Sequence, residues 1–227
     1  MTTSVEVRTV RVWDVFVRFF HWLLVAGIGL AWWSGEQGGE WMVWHMRAGY
    51  TVLGLVIFRL LWGFAGSFYA RFSQFVHSPG TVLSYAGKLL KGQEAHYAGH
   101  NPVGGWAVLL LLLLCALQAG SGLFANDEIL TEGPLVHLIS YDLSVEVTRW
   151  HKMLFNGLLA VIGVHLLGVM FHQLLRKEKL VPAMVTGNKK VAEIADAAPA
   201  TASGSRMAVG LILVLVAGLL VWGIISL

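Results

Sequence analysis

The stretch WHKMLFNGLLAVIGVH, running from Trp150 to His165, decides how this chain folds. Its two histidines, His151 and His165, stand fourteen residues apart in an otherwise apolar segment. At ~100° per residue that spacing closes to within about 40° of whole turns, so both imidazoles leave one face of a helix, roughly 21 Å apart along its axis. In a hydrocarbon core about 30 Å thick, one of them then lies towards each surface of a membrane. Two further histidines, His21 and His45, sit near the starts of two other apolar segments. Four imidazoles shared among three apolar helices are the ligand requirement of two bis-histidine haems.

The composition calls for a membrane independently. Hydrophobic residues make up 56% of the 227 residues and charged residues 13%, with a mean hydropathy of +0.68. That is too apolar for a soluble domain of this length. Five segments are long enough to span: about 16–33, 45–65, 103–124, 150–175 and 207–227. The first is read as an uncleaved anchor, because it keeps a histidine and shows no cleavage signature. The expected fold is an all-α membrane protein: a four-helix transmembrane bundle holding two haems over residues 1–180, a cytoplasmic linker over 181–206, and a fifth transmembrane helix over 207–227. Cys115 is the one cysteine and can form no internal disulfide. No C-x-x-C-H occurs, so covalent c-type attachment is excluded and the cofactors would be two non-covalent b haems. No nucleic-acid partner is expected.

Orientation follows from the basic residues. Arg8 and Arg11 precede the first span, Arg71, Lys88 and Lys91 lie between spans two and three, and Arg176, Lys177, Lys179, Lys189 and Lys190 follow span four. These three segments belong inside. The other two connections carry Glu36, Glu40, Asp127, Glu128, Glu132, Asp142 and Glu146, with Arg149 at the end of the second, and belong outside, in a bacterial periplasm. Trp32, Trp33, Trp41, Trp44 and Trp150 gather at that outer boundary as an aromatic belt. The N-terminus is therefore expected in the cytoplasm and the C-terminus in the periplasm, across a bacterial inner membrane.

Depth then pairs the histidines. His45 and His151 lie near the outer face, and His21 and His165 near the inner one. A single histidine in a membrane helix is equally a packed core residue, but four that agree in depth by pairs point to a functional interior. Zinc fits less well, since two histidines per site leave it short of its usual ligands.

Six stretches carry a resemblance: VWDVFVRFFHW (Val12 to Trp22), His45 to Gly49, RLLWGF (Arg59 to Phe64), HNPVGG (His100 to Gly105), the Trp150 to His165 segment, and VPAMVTGNK (Val181 to Lys189). Together they resemble the prokaryotic cytochrome b561 family, which includes the b-type cytochrome subunits of nickel-iron hydrogenases. The resemblance covers about residues 8–190 and implies a four-helix diheme b cytochrome with His21, His45, His151 and His165 as axial ligands to the haem iron. The fifth span departs from the minimal four-helix pattern.

Other residues have two readings each. Arg59, fourteen residues beyond His45, either pairs with a propionate of the inner haem or snorkels to the interface. Arg18, one turn before His21, is a propionate partner or a positive-inside anchor. His100 either contacts a propionate or caps the helix that Pro102 opens. His172 shares the face of His165 and either exchanges protons with a quinone or is an interfacial histidine without a role. His77, His96 and His137 are expected in solvated loops. Gly49, one turn after His45, leaves room for a flat ring. A short amphipathic helix is expected around 79–91, and a flexible linker over 186–206.

The expected function is transmembrane electron transfer between a quinone, ubiquinone or menaquinone by family analogy, and a periplasmic partner, a c-type cytochrome attracted by the seven outer carboxylates. Two alternatives stay open: the membrane subunit of a hydrogenase or dehydrogenase complex, and a superoxide:quinone oxidoreductase. Neither nucleophile nor phosphate loop is present, so if the chain is an enzyme it is a quinone-linked oxidoreductase. Membrane lipid is its other partner.

Overall fold

The computed structural model describes residues 8–191, 196, 198 and 206–227. In chain order its elements are β1 (Arg8–Arg11), α1 (Val15–Gln37), α2 (Met42–Ala65), α3 (Phe72–Phe75), α4 (Pro79–Leu90), α5 (Pro102–Gly122), α6 (Tyr141–Met170), α7 (Leu180–Thr186), β2 (Asn188–Val191) and α8 (Met207–Ile225). Short 3-10 turns occupy Gly39–Trp41, Phe68–Ala70 and Val136–Leu138, and a π-helical turn, Phe171–Leu175, ends α6. Among the described residues, five helices are long and apolar enough to cross a membrane: α1, α2, α5, α6 and α8. The chain is a multi-pass all-α membrane protein. Trp32, Trp33, Trp41, Trp44 and Trp150 each expose between 44% and 50% of their surface, which suits rings lying against lipid headgroups.

Local chemistry sets the helix starts. Asp14 caps α1 by accepting the Val17 amide at 2.9 Å, and its other oxygen accepts Trp62 Nε1–H and the Ser67 hydroxyl. Asn101, with Pro102 at the first helical position, caps α5 by accepting the Gly104 amide at 2.7 Å. Ser78 and Pro79 do the same for α4, which covers the expected amphipathic segment.

α6 begins at Tyr141, nine residues before the expected span. Hydropathy sees only its apolar part. The first turns are polar and carry Asp142 and an ion pair between Glu146 and Arg149. His151 is consequently ten residues into the helix, not near its start.

The contacts group into two compact units. The first comprises Met1–Arg18, Trp62–Leu110 and His165–Gly210. It is centred on buried Val12, Trp13, Trp62, Tyr69, Phe75, Tyr85 and Ala183. An antiparallel ribbon pairs β1 with β2, Arg8 opposite Val191 and Arg11 opposite Asn188. Gly187, at φ 86°, ends α7 in the left-handed region, and its carbonyl accepts the Val12 and Trp13 amides at 2.9 and 3.1 Å. A β-carbon there would come within 2.6 Å of the Trp13 carbonyl oxygen, so glycine is required twice over.

The stretch expected as linker from residue 181 therefore holds most of α7 and all of β2. Four-residue strands have no periodicity to read, and they form because the two segments meet. Asp196 ties down a further point by accepting the Ala98 and Gly99 amides at 2.6 and 2.8 Å. Most of the remainder of 186–206 lies outside the described residues.

The second unit comprises Phe19–Leu61, Leu111–Val164 and Leu211–Leu227. Val52, Val56, Cys115, Ala119 and Leu158 form its buried centre. α8 packs on α2 where Val221 approaches Gly54.

Candidate functional site

Within the second unit α2 and α6 bring His45 and His151 together. Their ring centroids are 6.0 Å apart and their planes are inclined at 77°. Two imidazoles on either side of one metal ion, each bonded at ~2 Å, would hold their centroids about 6 Å apart, so His45 and His151 are spaced as residues that would hold an iron between them. His45 Nδ1 lies 2.7 Å from the Ala31 carbonyl oxygen on α1. That oxygen can only accept, which fixes the proton on Nδ1 and leaves Nε2 as the donor atom for a metal. His151 Nδ1 is 3.0 Å from Ser121 Oγ, while the Ser121 hydroxyl donates to the Gln118 carbonyl at 3.0 Å. The serine oxygen thus keeps a lone pair for the imidazole N–H, and the same tautomer results.

Glycines make the room. A β-carbon at Gly35 would stand 2.9 Å from His45 Nδ1, and one at Gly122 would stand 3.2 Å from His151 Cε1. At Gly49 it would meet nothing within 4 Å. Gly35, Gly49 and Gly122 line one cavity of about 450 Å³ with both histidines, Met46, Cys115 and Leu158. That volume lies in the range of cofactor pockets. One side chain stands in the way: Gln118 Nε2 is 3.1 Å from His151 Nε2, and the amide would have to swing aside for that nitrogen to take a metal. Among the described residues no cluster of three or more His, Cys, Asp or Glu side chains could hold a bare metal ion. Two imidazoles at this separation lining one largely apolar cavity do fit a haem.

The other expected site residues are distributed differently. His21 is half-buried, its ring edge-on to Trp22 at 5.0 Å. His165 is half-buried on α6, and the two fall in different compact units. Arg59 is 2% exposed, so it does not reach for the surface as a snorkelling arginine does. Arg18 donates to the Val185 carbonyl at 2.7 Å, at the C-terminal end of α7. His100 does not cap α5, since Asn101 does. Its ring lies between Trp13 and Phe75, with centroids at 4.7 and 4.8 Å. His77 is not solvated: it is half-buried, its ring 6.1 Å from Tyr97 and its carbonyl accepting the Trp106 indole N–H. His137 is exposed but sits in a 3-10 turn, and His96 is exposed.

His172 belongs to an ion cluster that sequence reading missed. Its Nδ1 is 3.3 Å from Glu178 Oε1, while Lys189 Nζ lies 2.8 Å from Glu178 Oε2 and donates to the Tyr97 carbonyl at 2.8 Å. His96 lies 3.8 Å from the same carboxylate. Burial alone would raise the Glu178 pKa, but the hydrogen bonds and positive charge from His172 and Lys189 outweigh it and bring it to about 2. Beside it, Arg176 Nε pairs with Glu94 at 3.0 Å. Ser121 and Gln118 were also missed, since a polar pair in an apolar helix carries no signal of which histidine it will meet.

A helical membrane protein whose paired imidazoles line an apolar cavity has the features of a b-type cytochrome. The sequence profile described as prokaryotic cytochrome b561 matches residues 12–187, more than half of the chain, and the chain belongs to that family. Its function is accordingly transmembrane electron transfer by b haem. No match was found among curated proteins or among solved structures.

Proposed function

We propose that this chain carries electrons across a bacterial inner membrane between the quinone pool and a periplasmic redox protein, using two b haems. His45 and His151 would hold the outer haem, and His21 and His165 the inner one. The observation that carries this reading is the 6.0 Å approach of His45 and His151 over their shared cavity. When bound, such a haem takes up and gives back one electron at its iron.

The chain's own residues do the rest. The Ala31 carbonyl and Ser121 Oγ orient the two imidazoles and make them better electron donors to a metal. Val52, Cys115, Ala119 and Leu158 keep water from the cavity and lower the local dielectric. A buried cation such as Arg59 suits a cofactor bearing carboxylates, and it is the residue proposed to meet an inner propionate. Arg18 and His100 are proposed as weaker partners of the same kind. His172, with Glu178 behind it, is the residue proposed to exchange a proton with the quinone.

The test is haem stoichiometry on detergent-purified protein, by pyridine haemochrome with a reduced-minus-oxidised spectrum. Two non-covalent haems per chain are expected. One or none would return a histidine pair to packing.

A further inference from the structure

The connection between α5 and α6 carries two large apolar side chains that no described residue covers. Ile129 is 82% exposed and Leu130 is 90% exposed. They do not belong to a floppy tip. Asp127 Oδ1 accepts the amides of Ile129, Leu130 and Thr131 at 2.8 to 2.9 Å. Asn126 pairs across to Glu132, and the Tyr141 hydroxyl donates to Glu128 at 2.7 Å. Slight burial would raise the Asp127 pKa, but those amides more than offset it and hold the carboxyl below its ordinary value.

The height of the tip argues against lipid as its cover. Glu128 is tied to Tyr141, ten residues before His151 on one helix, hence roughly 15 Å further along the axis. The intervening turns carry Asp142, Glu146 and Arg149, and Lys152 follows His151, so the hydrocarbon does not extend there. The charge around the tip selects the partner. Residues 123–142 contain four carboxylates, Asp127, Glu128, Glu132 and Asp142, and no lysine or arginine. The base of the connection, through Asn126, Asp127, Thr131 and Gly133, also walls the cavity of His45 and His151.

We infer that Ile129 and Leu130, with the carboxylates around them, form the docking surface for a small basic redox protein, one whose apolar contact patch is rimmed by lysines, as in a c-type cytochrome. This rests on the proposed outer haem and names how its electron partner is seated. Apolar contact at the centre supplies affinity, and opposite charge at the rim supplies orientation and rate. A preformed loop loses little freedom on binding.

The test is binding of mitochondrial cytochrome c to the haem-loaded chain in discs of neutral lipid, measured by interferometry at low and physiological ionic strength. The double variant Ile129→Ser, Leu130→Ser should weaken binding about tenfold at both, with haem content unchanged. Glu128→Gln with Asp142→Asn should weaken it at low ionic strength and matter less at the higher one. Wild-type binding by the apolar variant would overturn the docking surface and leave the electron carrier standing. So would a nitroxide attached at Leu130→Cys that is relaxed by lipid-dissolved oxygen more than by a water-soluble nickel chelate, which would show the tip to be a membrane contact. A chain that binds no cytochrome c although it holds two haems overturns the docking partner, whereas a chain without the outer haem overturns the reading beneath it.

Discussion

Replacing Ser121 by alanine isolates one hydrogen bond at the candidate haem site. Ser121 Oγ is 3.0 Å from His151 Nδ1, on a half-buried side chain whose own proton goes to the Gln118 carbonyl. Alanine removes the acceptor without adding bulk. The other side-chain contact of His151 Nδ1 is with Gln118 Nε2 at 3.4 Å, an amide donor that cannot receive an imidazole proton. A neutral hydrogen bond of this kind contributes about 1 to 1.5 kcal/mol net. Between ligand and metal that becomes a loss of about five- to tenfold in haem affinity, towards the low end of what outer-shell partners usually contribute. The assay is the rate at which haem leaves the purified protein for an excess of apomyoglobin. Faster loss of one haem of two is expected, with Ser121→Thr restoring the slow rate because it keeps the hydroxyl. An unchanged rate in Ser121→Ala, or faster loss of both haems alike, would refute the assignment of Ser121 to His151.

Other expectations follow from the same geometry. His45→Ala or His151→Ala should each remove the same one haem, and His21→Ala or His165→Ala the other, as read by haemochrome and reduced spectra; a haem shared by His45 and His165 would overturn the pairing. Gly122→Val should also cost the outer haem, because its β-carbon would lie 3.2 Å from His151 Cε1 and the branches closer still. Glu178 has a folded-state pKa near 2, below its ordinary 4.5, so the stability it lends is complete above about pH 4.5 and is lost as pH falls through 2. Hydrogen exchange over residues 176–191 should stay slow down to that range. Glu178→Gln should speed exchange there at neutral pH, since it strands Lys189 among buried groups at a cost of about 3 kcal/mol.

The five spans were legible because lipid imposes a simple rule, twenty or so apolar residues per crossing, and the sequence obeys it. The histidine that faces a partner was legible from its repeat along one helix. What escaped was whatever depends on chance meetings between distant segments. The polar first turns of α6 were invisible to hydropathy, although Ser140 and the Glu146–Arg149 spacing carry a helix signal of their own. The ribbon of β1 and β2 could not be read from RTVR or NKKV alone. Lys189 looked like one more positive-inside charge, yet it is 8% exposed and braces Glu178. His100 reads in the sequence as either a propionate contact or a helix cap, and the aromatic slot it fills is built from residues 13 and 75.

The pairing of Arg8–Arg11 with Asn188–Val191 has a consequence for how the chain is threaded. Two strands that share hydrogen bonds lie in one aqueous compartment, so the number of crossings between residues 11 and 188 is even. Four helices satisfy that parity without any appeal to the count of lysines and arginines. α8 follows the ribbon as a further helix long and apolar enough to cross. The ribbon is also a late event in synthesis, because β1 emerges first and must wait for all four crossings before its mate exists. It works like a clasp, joining the segment before the first of these helices to the segment after the fourth.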